Sequence, residues 1–440
     1  MPRTSIALLC GRLHALHAPP GLSLCSMEKA LLLPRSSNAP GPSRPPQSPT
    51  AWLNGIRGIA SVIVALNHYL YGEFAAPWLG YGSGPDSRWL HQLPFIRLIW
   101  CGHAMPPVFF VISGYCACWS AIRLRDSHGL EKMVASLSAS AFRRGLRLYL
   151  PVFFMSVLAQ LAFFFGLYNW RWTEVSLQPW HRPGDHLKYL ATYLLDITNP
   201  VYPTDNGGLN LQFWVIPVEY AGSLTCYVTV LALARTKPST RPLILAALIA
   251  SFLLRGNCHT YTFLSGVLIA ELTLLLPHPP PLLPRLVLLL GTYLLGLPNN
   301  YRRTPGYAWL AALEPRAWGA FAEHNWRAVA AALTIGAGAL DRAGPLQRLG
   351  RARIPQRLGS TSFELYLCHM LLIRMWRNPL VDAVMAGFDV AEPRGFWVAY
   401  VVSGVVMATL AMWCAEGLGR VNEGLRVWAG RVEGWAMRGG

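Results

Sequence analysis

Apolar runs close to bilayer-spanning length recur along this chain from residue 58 to residue 419. A helix needs about 20 such residues to cross the hydrocarbon layer, because it rises only about 1.5 Å per residue. Inside that layer each backbone N–H and C=O must find its partner within the protein. The expected fold class is therefore all-α, a polytopic transmembrane helical bundle. Composition agrees: 53% of residues are hydrophobic and 13% charged, against about 25% charged in soluble domains. A soluble all-α fold is a poor match, since runs such as 59–66, 108–118 and 398–412 have too few polar residues to make a wet face.

About ten spans are expected, near residues 58–74, 104–122, 148–168, 213–234, 242–254, 259–276, 283–297, 326–340, 359–375 and 396–418. The net charge of +17 does not call for nucleic acid. The Lys and Arg residues sit in connections between apolar runs, which is the positive-inside pattern. The most basic connections precede span one, join spans two and three, join spans eight and nine, and follow span ten. With ten spans all four fall on one side, so both termini are expected in the cytosol. Residues 1–50, rich in Pro, Ser and Arg, read as a disordered cytosolic tail. Residues 51–420 form the membrane domain, and 421–440 a cytosolic C-terminal tail. The nine cysteines show no repeated spacing, so neither a zinc site nor a disulfide framework is expected. Residues 169–212 are the longest polar interval within the bundle, with Trp170, Trp172 and Trp180 and then several Asn and Gly residues. A loop of that length is more often functional than idle. Residues 188–197 within it suggest a short interfacial helix.

Ionisable groups inside spans are costly and point to function. Arg57 and His68 are eleven residues apart in span one. Eleven helical steps leave about 20° of offset and about 16 Å of rise, so the two side chains share a face. His369 lies about as deep in span nine as His68 does in span one. Two imidazoles at one depth suggest a polar cavity. Glu219, in span four near the lumenal side, is a natural partner for a histidine, with an arginine as the other candidate. Arg144 and Arg147, three apart at the mouth of span three, share a face and with Arg57 could hold phosphates. Glu364 and Arg374 in span nine look to have different partners, while Glu271 and Glu416 read as snorkelling or capping groups at cytosolic span ends. The residues alone therefore describe a polar cavity with a cationic cytosolic mouth and a histidine able to act as general base. A transporter with a His68, Glu219 and His369 relay remains open, although repeat symmetry is not evident.

Five stretches resemble, in order, the acyltransferase type 3 family of integral membrane O-acyltransferases. They are Leu53-Asn54-Gly55-Ile56-Arg57 with His68 following, Phe109-Phe110-Val111-Ile112-Ser113-Gly114-Tyr115, Arg144-Gly145-Leu146-Arg147 running into Leu150-Pro151, Phe213-Trp214-Val215-Ile216-Pro217-Val218-Glu219-Tyr220, and Ser362-Phe363-Glu364-Leu365-Tyr366-Leu367-Cys368-His369. The fourth looks like the fungal branch. The resemblance covers about residues 51–420. It implies transfer of an acyl group, acetyl in the first instance, from acyl-CoA to a hydroxyl of a small metabolite in fungal secondary metabolism, with a cell-surface glycan as another acceptor class. It also implies His68 as catalytic, with Glu219 and His369 at further catalytic positions, and Arg57, Arg144 and Arg147 at the donor. No permanently bound cofactor or metal is expected. The partners are acyl-CoA, a small hydroxylated acceptor and the bilayer, and an endomembrane such as the endoplasmic reticulum is the expected location. Asn54 departs from the family, which usually has Asp there.

Overall fold

The computed structural model describes residues 48–70, 74, 76–169, 179–276, 280–387 and 393–437. The expected tail up to residue 47, Trp170, Trp172, Cys10 and Cys25 lie outside them. The described residues form helices α1 (Ala51–Leu70), α2 (Met105–His128), α3 (Leu130–Phe164), α4 (Pro183–Ile197), α5 (Val215–Ala232), α6 (Arg241–Leu254), α7 (Cys258–Leu275), α8 (Leu282–Leu295), α9 (Ala322–Leu340), α10 (Pro345–Arg351), α11 (Arg353–Ser360), α12 (Ser362–Ala386) and α13 (Pro393–Met437). Short 3-10 turns occupy much of the connections from α1 to α2 and from α8 to α9. No strand occurs among the described residues.

Each expected span coincides with a helix, and five helices, α2, α3, α5, α7 and α13, are long and apolar enough to cross a membrane. Helices α6 and α8 are apolar but shorter. Helices α1, α9 and α12 are polar for another reason: they carry Asn54, Arg57, Asn67 and His68, then Glu323 and Arg327, then Glu364, His369, Arg374 and Arg377. Two of these three helices hold the histidines and Arg57.

One hydrophobic core runs through α1, α2, α3, α5, α7, α9 and α12. Helix α1 lies against α10, α11 and α12. A Cβ on Gly58 would fall 2.3 Å from the backbone N of Gly359, so only glycine allows α1 this close to α11.

Several boundaries differ from expectation. The basic stretch between spans two and three is helix. Gly129, with φ +88°, is the one-residue break between α2 and α3, a conformation that suits glycine. Arg144 therefore stands fourteen residues along α3, about 21 Å from its start. Pro151 falls inside α3, so the Arg147 carbonyl loses its usual N–H partner. The expected C-terminal tail continues α13 to Met437. It is anchored by Asn422, which donates to Glu364 at 2.9 Å, and by Arg426 at 3.6 Å from the same carboxylate. The expected helix in the long loop is α4, which buries Tyr193 and Ile197.

Glu271 corrects the reading of a snorkelling group. Its side chain is 3% exposed and pairs at 2.8 Å with Arg125, which also meets Asp126 at 2.9 Å. Asp126 in turn bonds Arg241 at 3.0 Å, so one network joins α2, α6 and α7. Buried pairs are marginal when intact but costly to break, because the surviving charge is stranded. Glu271→Ala is expected to destabilise the bundle by about 3–5 kcal/mol, read by thermal unfolding in detergent, with Glu271→Gln milder. Glu416, by contrast, is a half-exposed partner of Arg357 at 3.5 Å.

Candidate active site

Helices α1, α2, α3, α5 and α12 enclose a cavity of about 420 Å³. Arg57 enters from α1 and Arg143, Arg144 and Arg147 from α3, with Glu219 of α5 as the carboxylate among them. Ser113 and Ser120 of α2, Ser140 of α3 and Ser362 of α12 add hydroxyls, while Phe109, Phe363 and Tyr366 supply apolar walls. The three arginines expected at the donor thus meet in one place. Arg143, not singled out from the sequence, joins them.

Glu219 does not partner a histidine. One of its oxygens lies 2.5 Å from an Arg144 nitrogen and also accepts from the Ser113 hydroxyl. The same Arg144 nitrogen is 2.8 Å from Ser113 Oγ. The sequence placed Glu219 and Arg144 near opposite membrane faces, and the structure brings them into contact. The pair is incompletely satisfied, because Glu219 Oε2 and Arg144 Nε are buried without a partner among the described residues. Burying a charge is tolerable only when it is paired and hydrogen-bonded, so this cluster is poised to take further polar contacts.

His68 lies in the last turn of α1, deeper along its helix than the sequence suggested. Its ring centroid is 5.3 Å from that of His369 on α12. The backbone around it is tied down on three sides. Asn67 donates to the Trp100 carbonyl at 2.8 Å, Tyr69 to the Tyr400 carbonyl at 2.8 Å, and Arg377 to the Tyr69 carbonyl at 3.1 Å. His369 is 1% exposed. Its Nδ1 is 3.1 Å from the Leu365 carbonyl, which can only accept, so the proton sits on Nδ1. Nε2 is then a bare lone pair, buried and without a partner among the described residues.

The imidazole pair stands between two cavities. Tyr366, which lines the cationic one, has its ring 5.8 Å from His369. His369 lines a second, almost wholly apolar cavity of about 580 Å³ between α1, α12 and α13. The long loop closes over this region. Gln212 donates to the Leu367 carbonyl at 3.2 Å, the Tyr366 hydroxyl donates to the Gln212 carbonyl, and Arg374 donates to the Leu209 carbonyl at 2.8 Å. Arg374 and Glu364 have separate partners, as their spacing suggested. Among the residues not singled out from the sequence, Ser113, Gln212 and Tyr366 lay within or beside motifs, whereas His91 and Trp100 in the connection before α2 carried no signal at all.

The arrangement is a cationic cavity that can hold an anionic molecule on guanidiniums, with the imidazole pair able to handle a proton beyond its Tyr366 wall. Comparison with known proteins gives the family. The family described as an acyltransferase domain, Acyl_transf_3, matches residues 50–416. The O-acetyltransferase PaAT-1 of Phomopsis amygdali is 27% identical over 423 residues, 83% of this chain and 81% of that protein. Acyltransferase R4 of a Phoma species is 23% identical over 83% of this chain and 92% of its own length. Acyltransferase clz18 of Cochliobolus lunatus is 24% identical over 74% and 82%. No solved structure matches the chain. The match spans all five helices that bracket the cationic cavity and both histidines, and the chain belongs to the acyltransferase type 3 family.

Proposed function

We propose that this acyltransferase moves an acetyl group from acetyl-CoA to a hydroxyl of a small metabolite within an endomembrane. The observation that carries the reading is the convergence of Arg57, Arg144 and Arg147 on one cavity whose Tyr366 wall adjoins the His68–His369 pair. Guanidiniums suit the phosphates of a CoA donor, since each can bind bidentately. Arg57 and His68 share one face of the continuous helix α1, so that helix can set the distance from the anchored phosphates to the reacting carbonyl. Positioning of this kind removes much of the entropic barrier of a two-substrate reaction.

In this reading His68 takes the proton of the acceptor hydroxyl as its oxygen attacks the thioester carbonyl. The tetrahedral intermediate collapses to the ester, and the leaving CoA thiolate takes that proton back. His369, with its proton committed to Leu365, offers Nε2 to the N–H of His68 as the latter becomes imidazolium. Glu219 serves by holding Arg144 in place, not by orienting His68. A ten-span topology with both termini cytosolic opens the arginine side to cytosolic acetyl-CoA. PaAT-1, named an O-acetyltransferase, supports acetyl as the group moved. The fungal relatives support a small metabolite over a glycan as acceptor.

Arg57→Ala is expected to raise KM for acetyl-CoA about 10- to 100-fold with little change in kcat. A hydrogen bond to a charged group contributes about 1.5–3 kcal/mol, and phosphates do not take part in the bond change. The check is CoA release against acetyl-CoA concentration, with acceptor alcohol in excess. A loss confined to kcat would remove Arg57 from donor binding.

A further inference from the structure

We infer that the apolar cavity between α1, α12 and α13 is the acceptor site, and that it takes a lipophilic molecule bearing, besides its reacting hydroxyl, a second oxygen held at Trp100 and His91. The inference rests on the acyltransferase reading for the hydroxyl's role but not for the existence of the site.

The cavity holds about 580 Å³, within the range that encloses a drug-sized ligand. Its walls are aliphatic and aromatic, including Leu66, Phe74, Ile373, Met407 and Met412. Three of its lining residues nevertheless carry a buried side-chain nitrogen without a partner among the described residues: Trp100 Nε1, His91 Nε2 and His369 Nε2. Leaving such atoms unfilled in an apolar surround is unfavourable. Three around one void mark a place built for a ligand. They are also grouped. The His91 and Trp100 rings are 6.4 Å apart and form one polar corner. His369, with His68 beside it, forms another. Burial, and then the positive charge of Arg97, pushes His91 below its ordinary pKa, so its ring is neutral and can either donate or accept.

Trp100 Nε1 is a donor only. It asks for an oxygen with a free lone pair, as in a ketone, ester or ether, and a saturated acyl chain has none. That separates an oxygenated acceptor from the tail of a long acyl donor. The way in is lateral. Val62 of α1 and Val401 and Val405 of α13 line the cavity and are 37%, 63% and 63% exposed, and α13 is one of the helices apolar enough to stand in a bilayer. A ligand dissolved in lipid can therefore reach the site without crossing water, while a water-soluble sugar would meet no matching surface.

The test uses 4-(hydroxymethyl)benzophenone, which joins a hydroxyl, a ketone oxygen and a photoreactive centre in one lipophilic molecule. Membranes holding the full chain are irradiated with it, and the adducts are located by peptide mass spectrometry. Adducts on Met407 or Met412, whose side chains react readily with excited ketones, are expected. Ala408→Trp, which fills the cavity from its lipid side, should remove them. Trp100→Phe keeps the ring but deletes the N–H, and should weaken labelling about tenfold. In both variants acetyl-CoA binding, which uses the other cavity, should be unchanged. Decanoyl-CoA should not compete with the label, and competition by it would assign the cavity to an acyl chain and overturn the proposal. Labelling elsewhere, or labelling indifferent to both variants, would also overturn it. Because labelling needs no turnover, a protein that labels as expected but never forms an ester would refute the acetyl-transfer reading and leave the site standing.

Discussion

His68→Ala is expected to lower ester formation by about 10²- to 10⁴-fold, the usual contribution of a positioned general base, while leaving the fold intact. The end of α1 is fixed by bonds that do not involve the imidazole. Asn67 holds Trp100, Tyr69 holds Tyr400, and Arg377 holds the Tyr69 carbonyl. Removing the ring therefore leaves the helix terminus in place. The measurement is transfer from labelled acetyl-CoA in membranes carrying equal amounts of folded protein. His369→Gln should lose less, since an amide oxygen can replace Nε2 as an acceptor but cannot match its basicity. A larger loss in His369→Gln than in His68→Ala would exchange the roles of the two histidines. Unchanged ester formation in His68→Ala would remove it from the chemistry.

The second large effect is on stability. Glu219→Ala is expected to destabilise the protein by about 3 kcal/mol, because it strands the Arg144 guanidinium in a site only 20% open to solvent. Replacing both partners with methionine should recover most of that loss, as apolar replacement of a buried pair is often neutral. It should not recover transfer at low acetyl-CoA concentration, since Arg144 is itself a phosphate ligand in this account. Thermal unfolding in detergent, set beside KM for acetyl-CoA, reads both. A Glu219→Ala protein as stable as the parent would mean that the pair holds nothing in place.

The helices were legible because membrane helices announce themselves by apolar length, and ten apolar runs each coincide with a helix. What was not legible was where the helices begin. No apolar signal marks the first part of α3, and only Gly129 separates it from α2, so the sequence did not show which arginine would meet Glu219. The Arg57 and His68 pairing survived because it depends only on helical period within one unbroken helix. The meeting of His68 with His369 was suggested by comparing depths. The polar atoms of His91 and Trp100 lie in a connection of 3-10 turns, where no period links sequence to facing direction. Glu271 misled because a carboxylate near a span end has two cheap solutions, and sequence does not reveal whether Arg125 stands within reach.

The central claim is chemical transfer at the His68–His369 pair, and a transporter built on the same histidines is its sharpest rival. The deciding measurement is made on the full chain in sealed vesicles given acetyl-CoA and a lipophilic hydroxy-ketone, followed by mass spectrometry of the extracted alcohol. The account predicts an alcohol heavier by one acetyl group, formed in step with CoA release and lost in His68→Ala. Accumulation of unchanged alcohol inside the vesicles, with no ester and no CoA released, would contradict it.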